Sequence, residues 1–327
     1  MPDESRPTNR EEQARRLAET LRRQLGPTLC DLLHQDDVVE LMLNPDGRVW
    51  VERLGEPMQP VGRMAAATAE SFIATVASTL RGTVTRENPI LECELPLNGE
   101  RFEALIPPVV KAPTFTIRRK ASAVFTLEDY ERQGIMSAAQ RVRIARAIAK
   151  RENILVVGGT GSGKTTLTNA IIDHMVNASP RHRLVIIEDT AEIQCTAENA
   201  VLLRATDTVD MQRLLKATMR LRPDRIIVGE VRGGEALALL KAWNTGHPGG
   251  ACTVHANHAR AGLTRIEQLI AEVSQTPMHA LIGEAADLIV SIVKTETGRR
   301  IREVVEVEGF DGANYRFSEG EKSNGTD

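Results

Sequence analysis

The sequence predicts an α/β fold, a largely parallel sheet covered by helices, preceded by a smaller α+β domain. Apolar runs at 154–157, 184–187 and 225–229 are each followed by a glycine-containing or acidic loop and a helical segment, the pattern of parallel strands alternating with helices. Between residues 38 and 108, short apolar runs instead alternate with turn residues such as Asn98-Gly99, which predicts a small antiparallel sheet. A chain of 327 residues also exceeds the usual size of one domain.

These patterns predict four segments along the chain. Residues 1–12 and 319–327 are polar and rich in Ser, Asn, Gly and Glu, so we expect both to be disordered tails. The α+β domain is expected over residues 13–132 and the α/β domain over residues 133–318.

Three helices are predicted in or beside the first domain. From Arg10 to about Gly26, apolar residues recur at helical spacing with charges elsewhere, which indicates an amphipathic helix. Further helices are expected at about 65–80, within the antiparallel sheet, and at about 137–150, ahead of the first parallel strand. The arginines of the first helix are interleaved with glutamates, which favours a solvated face over a membrane anchor.

Composition weighs against several functions. The net charge is −3 and aromatic residues make up 3% of the chain, so neither general electrostatics nor base stacking favours direct nucleic-acid binding. The four cysteines are isolated, without the pairing of a zinc site or a disulfide framework. The sequence has no apolar stretch of membrane-spanning length, so we expect a cytoplasmic protein that reaches a membrane through partners.

A phosphate-binding motif follows the first parallel strand. Residues 158–165 match G-x-x-x-x-G-K-[ST] and open a helical segment, which is the context that this motif requires. Backbone N–H groups at a helix N-terminus bind phosphate, Lys164 is expected at the β and γ phosphates, and Thr165 is placed for Mg²⁺. We therefore predict a site for ATP and Mg²⁺, formed by Gly158, Gly159, Thr160, Gly161, Ser162, Gly163, Lys164, Thr165 and Thr166.

Acidic residues follow the second and third strands, where ligands bind in an open parallel sheet. Glu188 ends the second strand and is a candidate to orient or deprotonate the attacking water, although an acid in a loop after a strand is also common on structural grounds. Glu230 ends the third strand after Gly229, where many P-loop proteins have an aspartate that binds Mg²⁺. Glu230 is therefore a candidate either for the metal or for water activation.

Histidines flank a fourth apolar segment at 251–254. His255 ends the segment, on the side where the γ-phosphate is expected, and is a candidate phosphate sensor with a packing role as the alternative. His247 precedes it with functional and structural roles left open.

Four segments, GGTGSGKTT, RLVIIEDTAEI, RPDRIIVGEVRGGEA and GHPGGACTVHAN, together resemble the Walker A, Asp, Walker B and His boxes of the secretion ATPase superfamily, which serves type II and type IV secretion, conjugation and pilus dynamics. Upstream, NGERFEALIPPVVKAPTFTIRRKA and FTLEDYERQGIM resemble TrbB-type conjugal-transfer ATPases and their VirB-type relatives. The resemblance extends over most of the chain.

The resemblance implies an ATP-hydrolysing motor with a RecA-like second domain, a nucleotide held between two domains, and a homo-hexameric ring. It places Arg101 and Arg118 at the nucleotide phosphates, with Arg119 as a weaker candidate. The implied partners are inner-membrane components of a type IV secretion or mating-pair apparatus, so the motor would be cytoplasmic and peripheral.

Three other functions stay open on the sequence alone. A pilus assembly or retraction ATPase shares all four boxes, and only the upstream segment weighs against it. A nucleic-acid translocase is an alternative of a different class, since RecA-like rings also move DNA. A nucleotide-gated scaffold with negligible turnover is the third.

Overall fold

The computed structural model describes residues 9–79, 82–119, 124–206 and 208–318. The chain divides into two compact units, Met1–Ser122 and Ala123–Asp327. The predicted tail at 319–327 and residues 1–8 of the other predicted tail lie outside the described residues.

In its described residues, the first unit is an antiparallel sheet with three helices. Its strands follow the order β3-β2-β1-β6-β5-β4, and every neighbouring pair is antiparallel, so the prediction of a small antiparallel sheet is confirmed. Its elements are α1 (Asn9–Leu25), α2 (Pro27–His34), β1 (Val38–Leu43), β2 (Arg48–Arg53), β3 (Gln59–Arg63), α3 (Ala66–Thr79), β4 (Ile90–Glu94), β5 (Arg101–Leu105) and β6 (Thr114–Arg118).

An aromatic cluster lies in the core of this unit. Phe72 of α3 lies edge-on to Phe102 of β5, with 5.7 Å between the ring centroids, and Phe115 of β6 is within 5.7 Å of both. All three side chains are buried. Large aromatic rings bury much apolar surface each, so three of the ten aromatic residues in the chain fix α3 on the sheet.

The second unit is built on an eight-stranded sheet of order β14-β13-β12-β7-β11-β10-β8-β9. The strands from β12 to β9 are parallel and the pairs that include β13 are antiparallel. Its elements are α4 (Leu127–Arg132), α5 (Ala138–Lys150), β7 (Ile154–Gly158), α6 (Lys164–Ala178), β8 (Leu184–Glu188), β9 (Ala200–Arg204), α7 (Met211–Thr218), β10 (Arg225–Val228), α8 (Glu235–Asn244), β11 (Ala251–His255), α9 (Ala259–Ala271), α10 (His279–Ala285), β12 (Leu288–Thr295), β13 (Gly298–Phe310) and β14 (Tyr315–Ser318).

The strands at the centre of this sheet are buried along their whole length. Every residue of β7, β8 and β10 is buried, and separate apolar clusters pack on the two faces of the sheet. Strands covered on both faces are apolar throughout, which is why the three apolar runs predicted these strands correctly. Because β7, β8, β10 and β11 are parallel, the loops that follow them meet at one edge.

The division between the units precedes the predicted limit of 132. Leu127 and Tyr130 of α4, which the prediction assigned to the first domain, are buried in the apolar cluster of the second unit together with residues of α5 and β7. Contacts of this short helix therefore place the division at 122/123. Likewise, α1 begins at Asn9, inside the segment predicted as a tail.

None of the helices in the described part of the chain combines the length and the apolar character that crossing a membrane requires.

Candidate functional site

The phosphate-binding loop connects β7 to α6 in the second unit. Gly161 and Gly163 adopt left-handed φ angles of 68° and 97°, a conformation that side chains with a Cβ strain to adopt. A Cβ on Gly158 would lie 2.5 Å from the carbonyl oxygen of Ile292 in β12. Glycine is therefore required at these three positions by backbone conformation or by close packing.

The loop ends on the N-terminus of a 15-residue helix, α6. Its N-cap is Gly163, which has no side chain to bind the first N–H groups, and a helix N-terminus of this kind favours an anion. The Lys164 ammonium donates to the carbonyl oxygens of Gly158 and Gly159 at 3.1 and 3.2 Å. The positive charge is thus held directly over the loop.

The remaining side chains of the motif differ in exposure. Thr160 is exposed and Thr166 is half-buried in the first turn of α6, whereas Ser162 is buried. The Ser162 hydroxyl has no hydrogen-bond partner within the described residues.

Thr165 contacts a carboxylate that sequence reasoning did not single out. Its hydroxyl lies 3.1 Å from Oε2 of Glu192, in the acidic segment that follows β8. The signal was present in the sequence, because Glu192 follows Glu188 in the same segment. A hydroxyl beside a carboxylate is a pair of oxygen donors of the kind that Mg²⁺ prefers.

Glu188 is buried, with 6% of its surface exposed. Its Oε1 accepts hydrogen bonds from the backbone N–H groups of Glu192 and Ile193 at 2.9 and 2.8 Å. Burial raises the pKa of Glu188, and these two bonds offset part of the rise. The carboxylate thereby holds the loop that carries Glu192.

Glu188 also explains the glycine that precedes Glu230. A Cβ on Gly229 would lie 2.9 Å from Cγ and 3.2 Å from Oε1 of Glu188. The Glu188 carboxylate therefore fills the space that an aspartate side chain at position 229 would need.

Glu230 lies next to an arginine that links two acidic loops. Arg232 donates to Oε2 of Glu230 through Nε at 2.9 Å and Nη2 at 2.6 Å, and to Asp189 through Nη1 at 2.5 Å. These charge-assisted bonds connect the loop after β8 to the loop after β10. Arg232 was not among the predicted site residues.

The two histidines lie at opposite ends of β11. His255 is exposed and pairs in register with Gly158 of the phosphate-binding loop. His247 precedes Ala251, the first residue of the strand, so it belongs to the edge opposite the loop. The arrangement of β11 thus brings only His255 beside the phosphate-binding loop.

Arg101 and Arg118 belong to the first unit. They face each other as a register pair on β5 and β6, and Glu40 of β1 lies in register with Arg118. Arg119 instead donates to the backbone carbonyls of Gln35 and Val38, which supports a structural role. The antiparallel sheet therefore places side by side the two arginines that the resemblance assigns to the phosphates.

The site residues of the second unit form one group at the carboxyl edge of the sheet. The loop after β7, the acids after β8 and β10, and the histidine that ends β11 are brought together by adjacent parallel strands. Anion-binding N–H groups, an ammonium, a hydroxyl and several carboxylates at one edge can bind a phosphate chain and activate water.

The chain is similar to two groups of relatives. It is 58% identical to the "Probable conjugal transfer protein TrbB" of Sinorhizobium fredii, over 92% of this chain and 93% of the relative. It is 29% identical to the "Type IV secretion system protein VirB11" of Bartonella henselae, over 84% of this chain and 90% of the relative. The resemblance to TrbB-type and VirB-type proteins is confirmed.

A solved structure has the same fold. The crystal structure of the pilus retraction motor PilT with bound ADP matches with a TM-score of 0.61 at 18% identity, over 90% of this chain and 83% of that chain.

The type II/IV secretion system protein family matches residues 28–305, which is most of the sequence and includes parts of both units. The chain therefore belongs to the type II/IV secretion system protein family.

Proposed function

We propose that this protein is an ATP-hydrolysing motor that powers conjugal DNA transfer or a related type IV secretion process. The observation that carries the proposal is the meeting of the phosphate-binding loop with Glu188, Glu230 and His255 at one sheet edge. The high identity to a relative named as a probable conjugal transfer protein supports the pathway.

In this proposal the second unit is a RecA-like core that binds the nucleotide. N–H groups of the loop and of the first turn of α6 bind the phosphates, and the Lys164 ammonium moves from the loop carbonyls to the β and γ phosphates. The glycines let the backbone approach the phosphates closely, since no Cβ intervenes.

The residues present fit Mg²⁺. The Thr165 hydroxyl and the Glu192 carboxylate are paired at 3.1 Å, and both are hard oxygen donors. Glu188 holds the Glu192 loop by its two backbone hydrogen bonds, and Glu230 is the other candidate carboxylate. When bound, the metal would neutralise charge on the β and γ phosphate oxygens.

We assign water activation to Glu230 and a positioning role to Glu188. The Glu230 side chain is 22% exposed and so can contact solvent at the sheet edge. Glu188 is more deeply buried and accepts its two hydrogen bonds from the backbone of the acidic loop, whereas the two bonds that Glu230 accepts come from the exposed side chain of Arg232. The Glu188 carboxylate is suited to holding the acidic loop rather than to exchanging protons with water.

The first unit would contribute cationic groups. Arg101 and Arg118 pair across β5 and β6, and we propose that they stabilise the charge that develops on the γ-phosphate. We further propose a homo-hexameric ring that docks on inner-membrane components of the secretion apparatus from the cytoplasm. Sedimentation with and without ATP and Mg²⁺ checks the ring, and a monomer under both conditions would contradict it.

Two other functions are less well supported. A pilus retraction motor is favoured only by the shared fold with PilT at 18% identity, against 58% identity to a relative named for conjugal transfer. A nucleic-acid translocase would need affinity for single-stranded DNA and stimulation of turnover by it, and the composition gives this no support.

A mating assay tests the pathway. We expect deletion of the gene from a conjugation-competent donor to abolish plasmid transfer, wild-type protein to restore it, and Lys164→Ala, expressed at the same level, to fail. Transfer at the wild-type frequency in the deletion strain would contradict the proposed pathway. Loss of twitching motility with normal transfer would favour the pilus alternative.

A further inference from the structure

Arg299 packs directly against the phosphate-binding loop. It is the second residue of β13, in the hairpin that returns from β12. Its Cδ and Nε atoms lie 2.9 and 3.0 Å from where a Cβ on Gly163 would be, and its Nη2 donates to the carbonyl oxygen of Gly161 at 3.5 Å. The guanidinium therefore covers the two glycines of the loop that have left-handed φ angles.

The hydrogen-bonding capacity of this guanidinium is largely unused. Its Nε is buried and has no partner within the described ranges, and the bond from Nη2 is at the far limit of a hydrogen bond. An arginine side chain has five N–H donors, and an unpaired buried donor is destabilising. A group of this kind in a native fold calls for a functional explanation.

The described side chains supply no counter-charge to Arg299 within ion-pair distance. None of the ion pairs between described residues includes Arg299. Tyr130 is close enough to feel its charge, but burial raises the pKa of that phenol, with only partial opposition from Arg299. Tyr130 is therefore neutral near pH 7, and an anion that enters the loop would be the partner of the guanidinium.

Sheet order indicates which part of the nucleotide Arg299 would meet. The strand β7 that leads into the loop lies between β11 and β12. His255 and Glu188 end strands on the β11 side, and Glu230 follows another strand there. Since the proposed function places these residues at the γ-phosphate, that end of a bound nucleotide would lie on the β11 side. Arg299 approaches from the β12 side, which leaves it at the end of the phosphate chain that is joined to the nucleoside.

We propose that Arg299 is a further nucleotide-binding residue, which binds the α-phosphate of a nucleotide in the loop of its own subunit. The proposal rests on the proposed function, since it requires the loop to bind ATP. On binding, Nη2 turns from the Gly161 carbonyl and, together with the unpaired Nε, donates to phosphate oxygens in a charge-assisted, two-point contact. Because ADP and ATP share the α-phosphate, Arg299 contributes equally to the affinity for both nucleotides.

Calorimetric titration of the full chain with ADP and with a non-hydrolysable ATP analogue, each with Mg²⁺, tests the proposal. We expect Arg299→Ala to weaken both affinities by roughly tenfold to a hundredfold and to a similar extent. Arg299→Lys should restore part of the lost affinity, because lysine keeps the positive charge but lacks the planar guanidinium that makes a two-point contact. Arg300→Ala, a change at the exposed next residue, is the matched control and should bind as wild type.

Three results would overturn the assignment. Unchanged affinities in Arg299→Ala would leave Arg299 a residue that merely covers the loop. The same conclusion follows if the melting temperature of the nucleotide-free protein falls while the increase on adding ADP stays as in wild type. Weakened binding of the ATP analogue alone would place Arg299 at the γ-phosphate instead.

The proposed function and this inference fail in different ways. If the wild-type protein binds neither nucleotide, the assignment of the ATP site is wrong, and the proposed role of Arg299 is wrong as well. If wild type binds both and Arg299→Ala binds equally well, the ATP site stands and only the role of Arg299 is wrong.

Discussion

At the residue scale, Glu188 and Gly229 depend on each other. The Cγ atom of Glu188 lies 2.9 Å from where a Cβ on residue 229 would be, and the same carboxylate accepts two backbone hydrogen bonds from the Glu192 loop. A change at either position therefore acts on the acidic group beside the phosphate-binding loop.

Gly229→Ala tests this packing. The added methyl would lie 2.9 Å from Cγ of Glu188, so we expect a loss of about 1–3 kcal/mol in the free energy of unfolding, measured by urea denaturation. Gly159→Ala is the matched control for stability, because a Cβ there has no neighbour within 4 Å among the described residues. Equal stability of the two variants would contradict the packing argument.

Glu188→Gln tests the electrostatics of burial. Burial raises the pKa of Glu188 above its ordinary value of 4.5, so the folded protein binds the proton more tightly than the unfolded chain does. Charging this group at higher pH therefore destabilises the fold, and a neutral glutamine should raise the melting temperature near pH 7.5. The gain should shrink as the pH falls toward 4.5, where the folded and unfolded chains both protonate.

The control for Glu188→Gln is Glu308→Gln, at an exposed glutamate, which should change the melting temperature little at either pH. A lower melting temperature of Glu188→Gln at both pH values would mean that the two backbone hydrogen bonds outweigh burial.

At the scale of elements, the sequence predicted the strands that lead into the site and missed those beside it. β7, β8 and β10 are buried throughout, so each appeared as a continuous apolar run. No element was assigned after the strand that ends at His255, although β12 and β13 flank the loop. Arg299 was missed because only the β12–β13 hairpin brings it to Gly163.

For the acidic loops, the sequence predicted where the carboxylates lie along the chain but not which residues they contact. The positions of Glu188 and Glu230 after parallel strands could be read from the sequence. Their partners could not, since the contact between Glu192 and Thr165 and the bonds from Arg232 to Asp189 depend on how two loops fold toward each other. Spacing along the chain does not determine such distances.

Helix α5 begins with a capping box, which yields a prediction at this scale. The Ser137 hydroxyl accepts from the N–H of Gln140, whose side chain accepts from the N–H of Ser137. We expect Ser137→Ala to lower the free energy of unfolding by about 0.5–2 kcal/mol and Ser137→Thr to preserve most of it. Nucleotide affinity should not change, and a loss of affinity without a loss of stability would contradict a purely structural role.

At the scale of the whole molecule, the two units have different proposed tasks. The second unit carries the loop, the acids and His255 on one sheet edge, and the first carries the paired Arg101 and Arg118. If the first unit supplies positive charge to the transition state, removal of its arginines should lower the rate of hydrolysis while nucleotide affinity is largely kept.

Arg101→Ala and Arg118→Ala test that separation. An arginine that stabilises charge on the γ-phosphate contributes about 10³–10⁵ in rate, so we expect turnover to fall to background while ADP affinity stays within about threefold of wild type. Arg86→Ala, a change at an exposed arginine of the same unit, should retain full turnover. Wild-type turnover in both site variants would contradict a catalytic role for the first unit.

Steady-state release of phosphate from ATP and Mg²⁺ tests whether the sheet edge of the second unit hydrolyses ATP. We expect measurable turnover by the wild-type protein. Background rates are expected for Lys164→Ala, which loses the ammonium held over the loop, and for Glu230→Gln, which loses the group assigned to water activation. Wild-type turnover no higher than that of these two variants would contradict ATP hydrolysis at this sheet edge.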